Sequence, residues 1–148
     1  MDTGYGTLAW KLRQDARVTV RERVNALHAP VPGEGERVDL VVMDMGWTPQ
    51  RMCVPVAVTW LKPGGRIITL VKPHYEVVGA EKGLLREGVL STEDGARIAR
   101  RTIDAMGARG VRVLGEVESP IVGGKTKGNA GGNREWLVMV EVDKSRAA

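Results

Sequence analysis

One stretch, residues 38–73, constrains the fold of this chain more than any other, because apolar runs alternate in it with polar breaks. Val38–Met43 is rich in valine and predicts a short strand that is buried on both faces. Arg66–Val71 predicts a second buried strand, and Pro63-Gly64-Gly65 is expected to end a helix that lies between the two. The apolar residues that recur at helical spacing in that helix are Met52, Val56 and Trp60. The stretch therefore predicts two parallel strands joined by a helix.

Charged residues stand at the ends of the predicted strands. Asp44 directly follows the first strand, and Lys72 directly follows the second. Since parallel strands end at the same edge of a sheet, where open α/β folds bind ligands, we expect Asp44 and Lys72 to lie side by side in a cleft. A third charge, Glu135, stands near the start of the final predicted strand, Arg134–Val142. A lone aspartate or lysine is usually a turn cap or a solvated charge, but a lysine between two carboxylates has an electrostatic purpose, since the carboxylates set its proton affinity.

The N-terminal part of the chain predicts one helix and one strand before this unit. Thr7–Gln14 has the apolar spacing of a helix. Val18–Val24 alternates apolar and polar residues, which is typical of a strand with one wet face. Ala29–Glu36 is a loop rich in proline and glycine, and nothing in it indicates a domain boundary, so residues 1–148 are expected to form a single domain.

The C-terminal part begins with an irregular stretch, His74–Leu90. Ser91 then predicts the N-cap of a helix that runs to Met106. The residues expected on its buried face are Ile98, Ala99, Ile103 and Met106. Its arginines fit a solvated face better than an RNA site, and they are Arg97, Arg100 and Arg101. Val111–Val117 predicts a strand. Gly123–Gly132, which carries Lys125 and Lys127, is too rich in glycine to pack and is predicted to be poorly ordered until RNA binds.

Composition limits the compartment and the partners. The formal net charge of +4 suits an anionic partner such as RNA without requiring one. The single cysteine, Cys53, cannot form an internal disulfide and lies on an apolar helical face, so it predicts a reducing compartment and a core role. His28 and His74 lack the spacing of metal ligands, so no metal is expected. No apolar run approaches the ~20 residues of a membrane span, and no signal peptide is visible. The sequence predicts a soluble, cytoplasmic protein with no membrane contact.

Four motifs carry a resemblance to a known family. They are the strand that ends at Asp44, Leu61-Lys-Pro-Gly-Gly65, Leu70-Val-Lys-Pro-His-Tyr-Glu76 and Gly132-Asn-Arg-Glu135. In this order and spacing they resemble the motifs of the FtsJ/TlyA-like ribosomal RNA methyltransferases. The opening residues, Asp2–Asp15 and Arg17–Asn25, look like the TlyA, or hemolysin A, branch of that family.

The resemblance implies an α/β, Rossmann-like methyltransferase fold with a mostly parallel sheet and an antiparallel last strand. It also implies transfer of a methyl group from S-adenosylmethionine to a ribose 2′-hydroxyl of ribosomal RNA, either free or in a ribosomal subunit. The family's catalytic set is Lys-Asp-Lys-Glu, and its last three members fall on Asp44, Lys72 and Glu135. Lys72 would hold or deprotonate the hydroxyl while the two carboxylates orient its ammonium group. The residues that the resemblance assigns to the cofactor are Asp2, Gly4, Asn25 and Asp44.

The sequence departs from the family pattern in its N-terminal part. The family's first catalytic lysine, first strand and Gly-rich cofactor loop would precede Asp2, so the chain is expected to be an N-terminally truncated, C-terminal portion of a methyltransferase domain. Alone, it is expected to bind S-adenosylmethionine weakly or not at all, and an open sheet edge is expected to pair with another copy. An alternative is a non-catalytic RNA-binding or assembly module that keeps the fold without the cofactor. A methyltransferase for small molecules would have no use for Lys72 between two acids.

Overall fold

The computed structural model describes residues 1–123 and 132–143. Its helices and strands, in chain order, are α1 Trp10–Arg13, β1 Val38–Met43, α2 Gln50–Thr59, β2 Leu61–Val71, α3 Pro73–Glu76, α4 Thr92–Asp104, β3 Val111–Glu118 and β4 Trp136–Val142. Short 3-10 helices lie at Ala26–His28, Glu34–Glu36, Gly79–Leu84 and Ala105–Arg109. In this part of the chain, no helix has the length and hydropathy of a membrane-spanning segment.

The described strands form one sheet in the order β1-β2-β4-β3. β1 and β2 are parallel, whereas β4 is antiparallel to both of its neighbours, β2 and β3. Three strands therefore point in one direction and the last strand of the chain points in the other. The predicted α/β class, with a mostly parallel sheet and an antiparallel last strand, is confirmed.

One face of the sheet carries the core. Side chains from α2 and α4 pack there against inward-facing residues of β2 and β4, which include Ile67, Val71, Val138 and Val140. The opposite face is open in the described part of the chain, and Val42 of β1 is 69% exposed there. The prediction that β1 is buried on both faces is therefore wrong, because the described helices cover only one side of the sheet.

Helix α2 is confirmed, but its predicted buried face and its predicted end are wrong. Val54 and Ala57 face the core, whereas Met52 is exposed. The helix ends at its C-cap residue, Trp60, whose backbone N–H donates to the carbonyl of Ala57. Pro63-Gly64-Gly65 does not end the helix but lies inside β2. The glycines are needed there because Gly64 has a φ of +83° and a side chain at Gly65 would approach the carbonyl oxygen of Asp39 to 3.2 Å.

The N-terminal predictions are partly wrong. The predicted helix shrinks to α1, which buries no residue, and Val18–Val24 forms no strand. The backbone of this segment bonds with the first residues of the chain: the N–H of Asp2 donates to the carbonyl of Arg21 at 2.9 Å, and the N–H of Val24 donates to the carbonyl of Asp2 at 3.0 Å. Arg23 lies at a φ of +54°, which interrupts an extended backbone.

Helix α4 follows its prediction closely. The Ser91 side chain accepts from the N–H of Asp94, and all four residues expected on the buried face are buried. Three arginines on its other face form ion pairs within the chain: Arg97 with Glu81 and Asp94, Arg100 with Asp104 and Glu116, and Arg101 with Glu81. These pairs support a solvated face over an RNA site.

The irregular stretch after β2 contains α3 and a 3-10 helix, Gly79–Leu84. Most of the Gly-rich loop that was predicted to be poorly ordered, residues 124–131, lies outside the described residues. The residues that flank those positions, Gly123 and Asn133, pair through two backbone hydrogen bonds of 2.9 and 2.7 Å.

Candidate active site

Two predicted site residues meet at the carboxyl edge of the parallel strands. The Nζ atom of Lys72 lies 2.5 Å from Oδ1 of Asp44. The side chain of Lys72 is 17% exposed, whereas that of Asp44 is 70% exposed, so the pair opens to solvent on the aspartate side. In the parallel register Met43 pairs with Thr69, so Asp44 directly after β1 and Lys72 directly after β2 emerge at the same edge of the sheet, with Lys72 two residues further along. The predicted convergence of Asp44 and Lys72 is confirmed.

Glu135 joins this pair from the start of β4. Its side chain is buried, and burial is the main cause that raises the pKa of this carboxyl above its ordinary value. The positive charge of Lys72 lowers the pKa of Glu135 and the negative charge of Asp44 raises it, so all three groups interact. A Cβ atom at Gly123 would collide with the carboxylate of Glu135, so a larger residue there would displace the end of the Glu135 side chain.

A buried polar network ties the loop after β1 to the loop after β2. The backbone N–H of Gln50 donates to Oε1 of Glu76 at 2.6 Å. The Gln50 side chain donates through Nε2 to the carbonyl of Leu70 at 3.2 Å, and its Oε1 accepts from the hydroxyl of Thr69 at 2.8 Å. Gln50 thus clamps the segment that follows Asp44 to the end of the strand that leads to Lys72. Sequence spacing gave no signal for this network, because its partners lie far apart in the chain.

Asn133 holds the segment that leads into β4 and carries Glu135. Its side chain is buried, accepts from the N–H of Leu90 at 3.0 Å and donates to the carbonyl of Gly88 at 2.9 Å. Arg134 forms a two-pronged contact with Glu118 on the neighbouring strand. These bonds fix the start of β4 and therefore the position of Glu135.

Three rings lie beside Lys72. The ring centroids of Trp47 and Tyr75 are 5.1 Å apart, and those of Tyr75 and His74 are 4.0 Å apart. Burial, assisted by the charge of Lys72, lowers the pKa of His74 to about 4, so its imidazole is neutral at pH 7. The Nζ atom of Lys72 lies 5.9 Å from the centroid of Tyr75. In the sequence, Tyr75 stands out only as part of a motif, and no pattern assigns a role to Trp47.

Of the residues predicted for the cofactor, Asp44 lines a groove along β1, and Asp2 and Asn25 each adjoin a lining residue in the chain, whereas Gly4 does not. Oδ1 of Asp2 accepts from the N–H of Gly4 at 2.6 Å, and Oδ1 of Asn25 accepts from the N–H of Leu27 at 2.9 Å. This groove is open, has a volume of about 520 Å³ and is lined by Met1, Leu27 and Asp44 among others. The groove therefore extends from the neighbours of Asp2 and Asn25 to Asp44, and its volume is in the range of small-ligand sites.

Residues 1–123 and 132–143 contain neither a reactive thiol nor a metal-binding cluster that could form an alternative active site. Burial raises the pKa of Cys53 to about 11, so the thiol stays protonated at neutral pH. The same residues contain no group of three or more His, Cys, Asp or Glu side chains that could hold a metal ion.

Comparison with known proteins identifies the family. The FtsJ-like methyltransferase family matches residues 1–127. The chain is 36% identical over 143 residues to YqxC of Bacillus subtilis (strain 168), named as an rRNA methyltransferase, and this match covers 93% of the chain and 47% of YqxC. It is 33% identical over 149 residues to the 16S/23S rRNA (cytidine-2′-O)-methyltransferase TlyA of Mycobacterium tuberculosis (strain CDC 1551 / Oshkosh), covering 99% of the chain and 52% of TlyA.

Solved structures agree with these relatives. A Streptococcus thermophilus protein named as a hemolysin superposes with a TM-score of 0.80 at 28% identity, over 96% of this chain and 49% of that one. A hemolysin-named protein from Lactococcus lactis gives the same TM-score and identity over 99% of this chain and 66% of that one. The chain spans about half the length of the curated relatives it matches. The chain belongs to the FtsJ-like methyltransferase family, in which its relatives include YqxC and TlyA.

Proposed function

We propose that this chain takes part in methyl transfer from S-adenosylmethionine to a ribose 2′-hydroxyl of ribosomal RNA. One observation carries the proposal: a largely buried ammonium group, Lys72, contacts Asp44 and interacts with the buried carboxyl of Glu135 at the carboxyl edge of two parallel strands. Family membership and the names of TlyA and YqxC support the same reaction class. A cytoplasmic location follows from the proposed ribosomal RNA substrate.

The roles of the three residues follow from their charges. S-adenosylmethionine, when bound, supplies a methyl group activated by a sulfonium. The acceptor hydroxyl must point along the line of the breaking sulfur–carbon bond and must lose its proton as its oxygen gains the methyl group. Lys72 would hold that hydroxyl as a hydrogen-bond donor, and it could receive the hydroxyl proton once its ammonium had passed a proton to a neighbouring carboxylate. Asp44 and Glu135 orient the Lys72 side chain, and the raised pKa of Glu135 makes its carboxylate a better proton acceptor than a solvated glutamate.

The residues that would hold the cofactor are Asp2, Gly4, Asn25 and Asp44. A carboxylate has two oxygens with several acceptor positions, so Asp2 can receive ribose hydroxyls while it still accepts from Gly4. Asn25 caps the turn that begins at Ala26, and this turn borders the groove along β1. The groove and these donors and acceptors fit the adenosine part of S-adenosylmethionine.

Cofactor binding can be tested even where it is weak. We expect millimolar S-adenosylmethionine to shift the backbone NMR signals of Asp2, Gly4 and Asn25, and Asp2→Ala to reduce those shifts. Shifts that are absent, or that cluster elsewhere in the chain, would remove the assignment of this groove to the cofactor.

The catalytic proposal is tested with two matched lysine variants. Lys72→Met removes the ammonium at the carboxyl edge of the β1–β2 pair. Lys62→Met removes another lysine of β2, which pairs with Asp39 of β1 at 2.9 Å in the opposite half of the same strand pair. We expect ribosomal RNA to gain methyl groups that block alkaline cleavage at the modified ribose. Lys72→Met should lower the rate at least ~100-fold, and Lys62→Met should leave it unchanged.

The other outcomes are equally informative. Transfer that survives in Lys72→Met would contradict the role of Lys72. RNA binding by the wild type without methyl transfer, in the presence of saturating cofactor, would favour the non-catalytic RNA-binding or assembly module instead.

A further inference from the structure

An exposed tryptophan stands next to the site in an unfavourable backbone conformation. Trp47 is 86% exposed, and its φ of +58° lies in the left-handed region that bulky residues rarely adopt. It follows Asp44 by three residues, and the hydroxyl of Thr48 donates to the carbonyl of Gly46 at 3.0 Å across the turn. Such strain persists only where the surrounding structure holds it, and it concentrates at functional sites.

Two further rings support the indole. Trp47 lies against Tyr75 with an interplanar angle of 33°, and Tyr75 lies against His74 in turn. His74 is half-buried and neutral at pH 7, and its Nδ1 atom is buried with no hydrogen-bond partner among the described residues. The imidazole therefore acts as a rigid, uncharged backing for Tyr75. The result is a short series of rings that ends in a solvent-exposed indole.

The position of these rings separates them from the groove along β1. The residues that line that groove include Asp44 and Met45 but neither Trp47 nor Tyr75. The rings lie instead on the side of Lys72, whose Nζ atom is 5.9 Å from the Tyr75 centroid. A nucleotide whose ribose lies at Lys72 would carry its base one glycosidic bond away, within reach of this surface.

We propose that Trp47, held by Tyr75, is a stacking platform for the base of the nucleotide that accepts the methyl group. This inference rests on the proposed function, because it takes Lys72 to be the group that holds the acceptor ribose. A base can stack on an indole only when it is unstacked from its neighbours in the RNA. The substrate is therefore an RNA in which the acceptor nucleotide is single-stranded or turned out of its helix. Because every base has a π-face, the platform selects for an accessible base more than for a particular one.

The first test measures binding of the 148-residue chain to a short single-stranded oligoribonucleotide of mixed sequence and to its abasic counterpart. We expect the wild type to prefer the oligomer with bases. Trp47→Ala should lower affinity for that oligomer about tenfold and leave affinity for the abasic one unchanged. Trp47→Phe, which keeps a ring, should retain most of the affinity. Trp10→Ala is the matched control, because Trp10 is also highly exposed but lies on α1.

Several results would overturn the platform. They are equal affinity of the wild type for the two oligomers, unchanged affinity in Trp47→Ala, and equal losses in Trp47→Ala and Trp10→Ala. Circular dichroism of each variant shows whether the fold is kept, and Trp47→Phe distinguishes a lost ring from a disturbed turn.

Methyl transfer separates this inference from the proposed function. A wild type that shows Trp47-dependent, base-dependent binding but transfers no methyl group would leave the platform standing and refute the reaction. A wild type that transfers methyl groups, with an unchanged KM for RNA in Trp47→Ala, would refute the platform alone. The expected result is a raised KM for RNA with a smaller change in kcat.

Discussion

The hydrogen bond between Gln50 and Thr69 offers a sharp test of how the site is held together. Both residues are buried, and the Thr69 hydroxyl donates to Oε1 of Gln50 across the boundary between α2 and β2. Thr69→Val keeps the shape of the side chain but leaves the Gln50 oxygen without this donor. Gln50→Leu removes the same bond from the other side, together with the bond to the carbonyl of Leu70.

The expected costs follow from these contacts. A buried polar atom left unpaired costs about 1–3 kcal/mol, so Thr69→Val should lower the free energy of unfolding by that amount. Gln50→Leu should cost about 2–4 kcal/mol, because two hydrogen bonds disappear and the Thr69 hydroxyl is left unpaired. In the double variant, both partners of the first bond are apolar. Its cost should therefore fall below the sum of the single costs by about 1–3 kcal/mol.

Urea denaturation followed by tryptophan fluorescence measures all four free energies, provided that the slopes agree. Thr59→Val is the control, since the hydroxyl of Thr59 donates at 2.7 Å to the carbonyl of Val56, at the far end of α2 from Gln50. Gln50→Leu combined with Thr59→Val should be additive. If Gln50→Leu and Thr69→Val were also additive to within about 0.5 kcal/mol, the reasoning that the network clamps the two loops would be refuted.

Three further predictions concern single side chains. Burial raises the folded-state pKa of Glu135, so its contribution to stability is present below the unfolded pKa and is lost as pH rises through the folded pKa. Glu135→Gln should therefore gain stability relative to wild type as pH rises above the ordinary carboxyl pKa of 4.5, and a constant difference in urea midpoints would contradict this. With a pKa of about 11, Cys53 should react with iodoacetamide roughly 100-fold more slowly in the folded protein than in urea, and equal rates would show that it is accessible. The outer edge of β1 is expected to pair with a second copy of the chain, so sedimentation velocity should show that the wild type associates as its concentration rises. Val42→Lys should abolish this association. Association that persists in the variant would place the contact elsewhere.

The sequence predicted best where local pattern and tertiary packing agree. Helix α4 has a capping serine and an apolar stripe that is buried in full, and both can be read without knowledge of the fold. The meeting of Asp44 and Lys72 was predictable as well, because the parallel arrangement of two consecutive strands fixes where both strands end.

The predictions failed where residues far away in the chain determine the local structure or the burial of a side chain. Val18–Val24 alternates like a strand but has no strand beside it in the described residues, and its backbone bonds with Asp2 and Gly4 instead. Likewise, an apolar run such as Val38–Met43 does not show which neighbours will cover a strand, so the open face of β1 was missed. Gln50 and Trp47 gave no local signal, because their roles depend on partners that lie about twenty or more residues away.

The irregular pairing at the start of β1 and β2 divides the strand pair into two regions. These regions differ in how well they tolerate an inserted residue. Val38 pairs with Leu61 and Leu40 with Arg66, so a step of two residues on β1 is matched by a step of five on β2, and the surplus is taken up around Gly64. From Leu40 onward the pairing is one-to-one up to the site. A residue inserted near Gly64 can be absorbed locally, whereas one inserted after Arg66 would turn Lys72 to the opposite face of the sheet. A spectroscopic label or an affinity tag is therefore best carried on residues inserted beside Gly64, with Gly64 itself kept, because the chain can lengthen there without moving the lysine.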